Sequence, residues 1–412
     1  MANSLSRNEK LLLLDQPVDT HLTVPNSSGA ASLTIANYCP HVSYKTTPNS
    51  GLLTSRSKTG TRTARRGVAG RSYIGWQAAI EMIGAASAVA PPSKSLWRSL
   101  FGNAGTAVTG SGSVTGATNA SPIVITQVGH GKATGDVVRI AAVGGNTAAN
   151  GVWVITSLSA DTYSLAGSTG NAGYTSGGTA SFVGTKYTLT DDLLTFVAAL
   201  FRTPSTLQQR LSYGNVVTSA TINLGQDIAE AQFNGEGIYE LDSDTFASDS
   251  AELQAGLTAF PAEPSGSLPA DSGIVAGFTG RAVINGASFS GIRAATLTFG
   301  TAGEVVKTNF GRFTPDELEA DERNVSVSLD LNDKDTAAMQ ALYAAFKAKT
   351  PIDTILQIGT QQYNTWVFHA KGVQLATTEL DDSARRFVRK YANCRATGST
   401  PGALDEIKLT IL

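Results

Sequence analysis

A chain of 412 residues with 42 glycines is too long for one small core and too rich in strand and turn formers for a helical bundle, so two or three mainly β domains are expected. Lysine and arginine total 31 against 33 aspartates and glutamates, a net charge of −2, which removes any global electrostatic reason to bind nucleic acid. Only Cys39 and Cys394 are present, and the leucine run at 11–14 is too short for a membrane span or an export signal, so cytosolic folding with reduced thiols is the expectation.

Residues 1–60 hold short apolar runs interrupted by Pro17, Pro25, Pro40 and Pro48, which predicts an arm of short strands and extended connections. Arg62, Arg65, Arg66 and Arg71 then precede a strand through Tyr73, Ile74 and Trp76. They could form a phosphate-binding patch, or flank the strand and pair with acidic groups across an interface. After Pro91 and Pro92, SKSLWRSLF at 93–101 predicts a short helix capped by Ser93 or Ser95, with Leu96, Trp97, Leu100 and Phe101 turned toward a sheet. Between glycine-rich flanks, residues 111–184 read as a small all-β insert of short strands with glycine or asparagine turns. Its His130, Asn146 and Asn150 invite a ligand reading, yet one histidine without a second ligating side chain makes no metal site.

At 186–202, KYTLTDDLLTFVAALFR predicts a helix capped by Thr190, with Leu193, Leu194, Val197, Leu200 and Phe201 on one face, although Thr195, Phe196 and Val197 also suit a strand. Two strands follow within 210–241, where Ala220, Ile222 and Leu224 oppose Thr221 and Asn223. The same grammar returns at 284–331: Ala295, Leu297 and Phe299 oppose Thr296 and Thr298, and Val325, Val327, Leu329 and Leu331 oppose Ser326, Ser328 and Asp330. The repetition points to a duplicated domain, which could build a ring with twice its subunit count in pseudo-symmetry. The organisation expected is a first domain at 61–110 and 185–244 interrupted by the insert, a proline-stiffened linker at 245–272, and a second domain at 273–412. The second domain should contain an amphipathic helix at 335–349, with Ala338, Leu342, Ala345 and Phe346 as its stripe, and strand candidates through to EIKLTIL at the carboxyl end.

The polar connection at 300–324 is longer than a hairpin needs, which suggests an interface or a site. It carries Val305, Val306, Lys307, Phe310, Arg312 and Phe313, then Asp316, Glu317, Glu319, Asp321 and Glu322. Phosphate-loop, zinc-protease, serine-hydrolase and paired CxxC signatures are absent, and His21, His41, His130 and His369 stand far apart. Adjacent carboxylates at Asp191 and Asp192, or Asp381 and Asp382, would face opposite ways on a strand and make no acid and base couple. A non-enzymatic protein without cofactor or metal is therefore expected, with His369 a structural, hydrogen-bonded histidine.

Three stretches carry a resemblance. TARRGVAG with the strand through Tyr73–Trp76 and PPSKSLWRSLFG, then RLSYGNVVTSATINLGQDIAEAQFNGEGIYEL, then the succession NGASFSGIRAATLTFG, long loop, ERNVSVSLDL, helix, DDSARRFVRKYANCRA and EIKLTIL resemble the tail tube protein of long, non-contractile-tailed bacteriophages (the siphophage major tail protein) in a duplicated form. The insert resembles small β domains carried by other phage tail proteins. What the resemblance implies is a mainly β fold with short packed helices, in which two similar β-sandwich or β-barrel tube domains form a pseudo-hexameric trimer ring. Rings stack into a hollow tube that conducts DNA without sequence-specific binding. Implied partners are further copies of the chain, a tape measure protein inside, and baseplate or tail-tip and terminator proteins at the ends, with no membrane insertion. The location implied is the virion tail, after synthesis in the host cytoplasm.

On that resemblance, Thr221, Asn223, Thr296, Thr298, Ser326, Ser328 and Asp330 are candidates to line the lumen, and none is basic. Residues 300–324 would be mobile in the free chain and anchor through Phe310 and Phe313 on a neighbouring ring. The insert should project from the outer surface and be replaceable by a short linker. A tail terminator, baseplate hub or fibre base, or a carbohydrate-binding or adhesive β protein, are the alternatives.

Overall fold

The computed structural model describes residues 9–16, 33–55, 57, 60, 65–86, 90–202, 208–225, 227–248, 257, 259–300, 303–334, 336–382, 385–400 and 402–412. Pro17, Pro25, His21, Arg62, Asp335 and, of the expected 245–272 linker, residues 249–256 and 258 lie outside them.

Among the described residues the fold is mainly β with two short helices, built on one curled, half-closed sheet. Its first layer pairs Ser43–Leu53, Val68–Glu81, Glu230–Gly237, Gln208–Leu224, Ile292–Gly300, Asn324–Asn332, Val388–Ala396 and Thr377–Asp381, antiparallel and in that order. The second layer pairs Ala287–Phe289, Arg281–Ile284, Ile352–Ile358, Trp366–Gln374, Ile407–Ile411, Gly184–Thr188 and Thr106–Val108. The two join where Val373 and Gln374 pair with Ala396 and Arg395. Period-two alternation makes this possible: Ala295, Leu297, Phe299, Val325, Val327, Leu329 and Leu331 all turn into one core while the residues between them stay outside it. That core runs without interruption through both expected tube domains, from Trp76 and Phe233 to Phe368 and Tyr391.

Helix Lys94–Phe101 sits between the layers. Trp97 packs edge-on against Phe233 of the first layer at 5.1 Å and against Trp366 of the second at 5.5 Å. Phe101 does the same between Phe299 and Tyr187. Ser93 occupies the N-cap position, but its hydroxyl accepts the indole N–H of Trp97 at 3.0 Å instead of capping the backbone. Gly102, at φ 71°, ends the helix. The second helix, Ala337–Ala348, is capped by Thr336, which accepts from the Met339 amide, and buries Met339 and Leu342, with Phe346 against Tyr391.

The helix expected at 186–202 does not form. Gly184–Thr188 and Phe196–Arg202 are strands; the second pairs with Glu9–Asp15 and Gln208–Leu224 along its edges and is buried on both faces, one in the main core and one in a lateral core. A strand with no exposed face shows no alternation, and its apolar run imitates a helix. Glu9–Asp15 is itself part of the sheet, with Leu12 in a lateral core around Phe201, Leu211 and Leu241, so the described part of the expected arm is built into the body. The terminal strand Ile407–Ile411 is in the sheet as expected, pairing with Gly184–Thr188 on one side and Trp366–Gln374 on the other.

Residues 111–184 form a separate sheet with its own core, including Ile125, Val138, Trp153, Tyr163 and Phe182. This insert does not stand off the body. Val137, Val152 and Val154 pack on Val283, Ile355, Val367 and Leu412 of the second layer, and Arg281 stacks on Trp153 at 3.8 Å. Arg139 donates to the Thr360 carbonyl and the Thr365 hydroxyl, and Asp136 pairs with Lys186 at 3.0 Å.

Candidate assembly surfaces

The 300–324 connection lies on the outer face of the first layer at Glu236 and Tyr73, and farther along that face the seven lumen candidates stay at least partly exposed and fall into register. Gln232, Thr221, Thr298, Ser326 and Arg395 lie opposite one another across consecutive strands, and Glu230, Asn223, Thr296 and Ser328 form the next row. Thr296 Oγ1 reaches Asn223 Oδ1 at 3.5 Å. Lys45 is exposed on this face opposite Gln77, and two further basic residues missed in the sequence lie beside the lumen candidates. Lys390 lies opposite Asp330 and pairs with Asp381 at 2.6 Å, which raises its pKa, and Arg395 pairs with Glu322. Each thus comes with an acid, and the face stays polar without becoming basic. No local signal marks Lys390 and Arg395, because the bulge between Val327 and Leu329 sets which way they point.

The connection at 300–324 departs from the mobile loop expected. It contains a small ladder, Glu304–Val305 with Leu318–Glu319, and it is tied to the first half of the chain. Arg71 donates to the carbonyls of Lys307 and Asn309, the Ser72 amide donates to the Phe313 carbonyl at 3.1 Å, and Lys307 pairs with Glu236 at 2.6 Å. Asp316 accepts from Asn309 and pairs with Arg312, and Arg323 donates to the Thr190 carbonyl at 2.6 Å. Val305 and Val306 are buried on the chain's own body and so give no area to a partner, whereas Phe310 is fully exposed and Phe313 is 43 % exposed. Glu317, Glu319 and Asp321 remain on the surface.

Other sequence candidates have structural work. His130 meets the Ser159 carbonyl at 2.9 Å, while Asn146 and Asn150 bond to the backbone of Thr118 and Val143 and hold turns of the insert. His369 lies 3.7 Å from Asp353, whose pKa the imidazole lowers. Arg65 and Arg66 are exposed and Arg71 holds the loop, so the described arginines do not converge. Cys39 and Cys394 are free and buried, and burial pushes the Cys39 thiol up to about 12. Among the described residues no group of His, Cys, Asp and Glu could hold a metal, and no helix is long and apolar enough to cross a membrane.

A cavity of ≈ 550 Å³ opens at the rim where the two layers part. Leu224, Ala282, Phe289, Ala295 and Leu356 line it, with Phe278 and Arg293 among the exposed residues around it. No family model matches this sequence, and no curated protein matches it significantly.

Proposed function

We propose that the chain is a structural protein of a phage tail, assembling three copies to a ring and ring upon ring into the hollow tube through which DNA leaves the virion. The observation that carries this reading is the strand order of the first layer. Ser43–Leu53, Val68–Glu81, Glu230–Gly237 and Gln208–Leu224 run across it as first, second, fourth and third in chain order. Ile292–Gly300, Asn324–Asn332, Val388–Ala396 and Thr377–Asp381 repeat that order, and a helix follows the second strand of each run. This supports a duplicated tube domain where sequence identity between the halves is low.

Within one chain, the last strand of the first run pairs with the first strand of the second, Ala220 opposite Phe299 through Leu224 opposite Ala295. The same rule between copies pairs Thr377–Asp381 with Ser43–Leu53 of the next. Strand direction alternates across the layer, so this contact is antiparallel, and it covers two edges that have no partner among the described residues. At about 4.8 Å between strands, two copies would close at roughly 24 Å between opposing backbones, which inward side chains narrow below the width of a duplex; three close at roughly 37 Å. The polar, non-basic face then lines the channel and lets a polyanion slide without binding it through released counterions.

Electron microscopy of the purified protein tests this. Hollow filaments or stacked rings are the expected result. Isolated capped rings or elongated trimers favour a terminator, hub or fibre base, and a protein that stays monomeric at all concentrations removes the proposal.

A further inference from the structure

Two groups of exposed apolar side chains lie toward opposite ends of the strand Val68–Glu81. At one end, Leu52, Leu53 and Val68 are 62–69 % exposed beside the fully exposed Phe310. At the other, Phe278 is exposed in the lining of the 550 Å³ cavity between the layers, with Ile228, opposite Ala276, and Ile274 exposed nearby in the chain. The strand Val68–Glu81 spans the gap: Arg71 holds the Phe310 loop near its start, and Glu81 pairs with Glu230 beside the cavity end. At about 3.3 Å per residue the two ends lie roughly 33 Å apart.

We propose that the cavity is the receptor for Phe310 of a second copy of this chain, so that copies join head to tail. Knob and hole are on one molecule but too far apart to meet within it, and a patch that fits a different patch on an identical molecule makes an open polymer instead of a closed dimer. The loop carrying Phe310 is held in place by Arg71, Lys307 and the Arg312–Asp316 pair, so an aromatic anchor is presented with little entropy left to lose on docking. Within a mixed lining, Leu224, Ala282, Phe289, Ala295 and Leu356 give the cavity apolar side chains for such an anchor to meet. Charge also matches: Arg293 is exposed at the cavity, and Glu317 and Glu319 are exposed on the loop. Val305 and Val306 take no part, since they are already buried. The assignment rests on the tail-tube reading for the purpose of the polymer, while the contact itself is separately measurable.

The experiment uses the full chain with Thr308→Cys and Ser290→Cys together, both exposed positions that leave Phe310 and the cavity floor intact, treated with a short bismaleimide. The native thiols are buried. A ladder of covalent multimers on a denaturing gel is expected, with each single variant giving none. In the Thr308→Cys, Ser290→Cys background, Arg293→Trp, which fills the cavity mouth, and Phe310→Ala should each abolish the ladder while the thermal melt stays that of the parent. Tubes in the microscope without a ladder overturn the receptor assignment and leave the tube standing. A ladder without tubes keeps the contact and removes the tube, and neither tubes nor ladder removes both. A ladder that survives Arg293→Trp and Phe310→Ala also overturns the assignment.

Discussion

Thr221 lies directly opposite Thr298 across the seam where the two halves of the chain pair. Their neighbours on that seam, Ile222 opposite Leu297, face the core, so one register fixes both the buried and the open side of the layer. If the open side lines a channel, Thr298→Cys and Ser328→Cys should label readily in unassembled protein with a maleimide too bulky to enter the lumen. The same positions should be protected in filaments. Equal labelling in both states would place this face on the outside.

Trp97 joins the two layers through aromatic contacts on both sides and has no exposed surface. Trp97→Ala should cost about 3–5 kcal/mol in urea unfolding, because the flanking rings cannot close the space left behind. Trp97→Phe should recover much of that. A loss below about 1 kcal/mol for the alanine variant would mean that the layers pack without the helix.

Arg71 is the clamp on the 300–324 connection. Limited proteolysis of the unassembled chain should spare this loop, and Arg71→Ala should open it to cleavage near Phe310 with only a small shift in Tm. Rapid cutting of the parent at the same sites would argue against a loop docked before assembly.

The insert covers Val283, Ile355, Val367 and Leu412. Replacing 111–184 by a short linker should therefore expose an apolar patch on the second layer, at roughly 1.5–3 kcal/mol for each fully buried side chain returned to water. The shortened chain is expected to melt lower and to aggregate. Val367→Thr in that background should recover part of the solubility, and a shortened chain as stable and soluble as the parent would show the contact to be dispensable.

Asp405 ties the loop before the terminal strand, accepting from the Ser399 amide and hydroxyl at 2.9 Å and pairing with Lys371 at 3.0 Å. Burial opposes its charged form, but these donors hold its pKa down at about 2, below the ordinary 3.8. A depressed carboxylate contributes stability above its unfolded pKa and loses it as pH falls through the folded one, so the effect should fade between about pH 4 and about pH 2. Asp405→Asn should lower Tm at pH 7 and converge with the parent at pH 2. A gap that does not narrow with acid would assign the effect to lost hydrogen bonds alone.

Much of this architecture was legible in the chain. The alternation at 292–300 and 324–332, the 337–348 helix and the flanks of the insert are local periodicities, and a period of two or 3.6 is written into neighbouring residues whatever they later meet. What the tertiary structure decided is everything that needs a distant partner. Phe196–Arg202 is a strand paired along both edges, with Phe196, Ala198 and Leu200 in the main core and Val197, Ala199 and Phe201 in the lateral one, which removes the alternation that would have revealed it. Arg71 reaches carbonyls 236 and 238 residues away, and a backbone carbonyl leaves no mark in a sequence. The insert looked separable because its own core is complete; its second apolar face, Val137, Val152 and Val154, gains meaning only when Val283 and Ile355 are found opposite. Sequence sets which faces are apolar, but pairing and docking depend on two segments at once, and long-range contacts carry no period from which to read them.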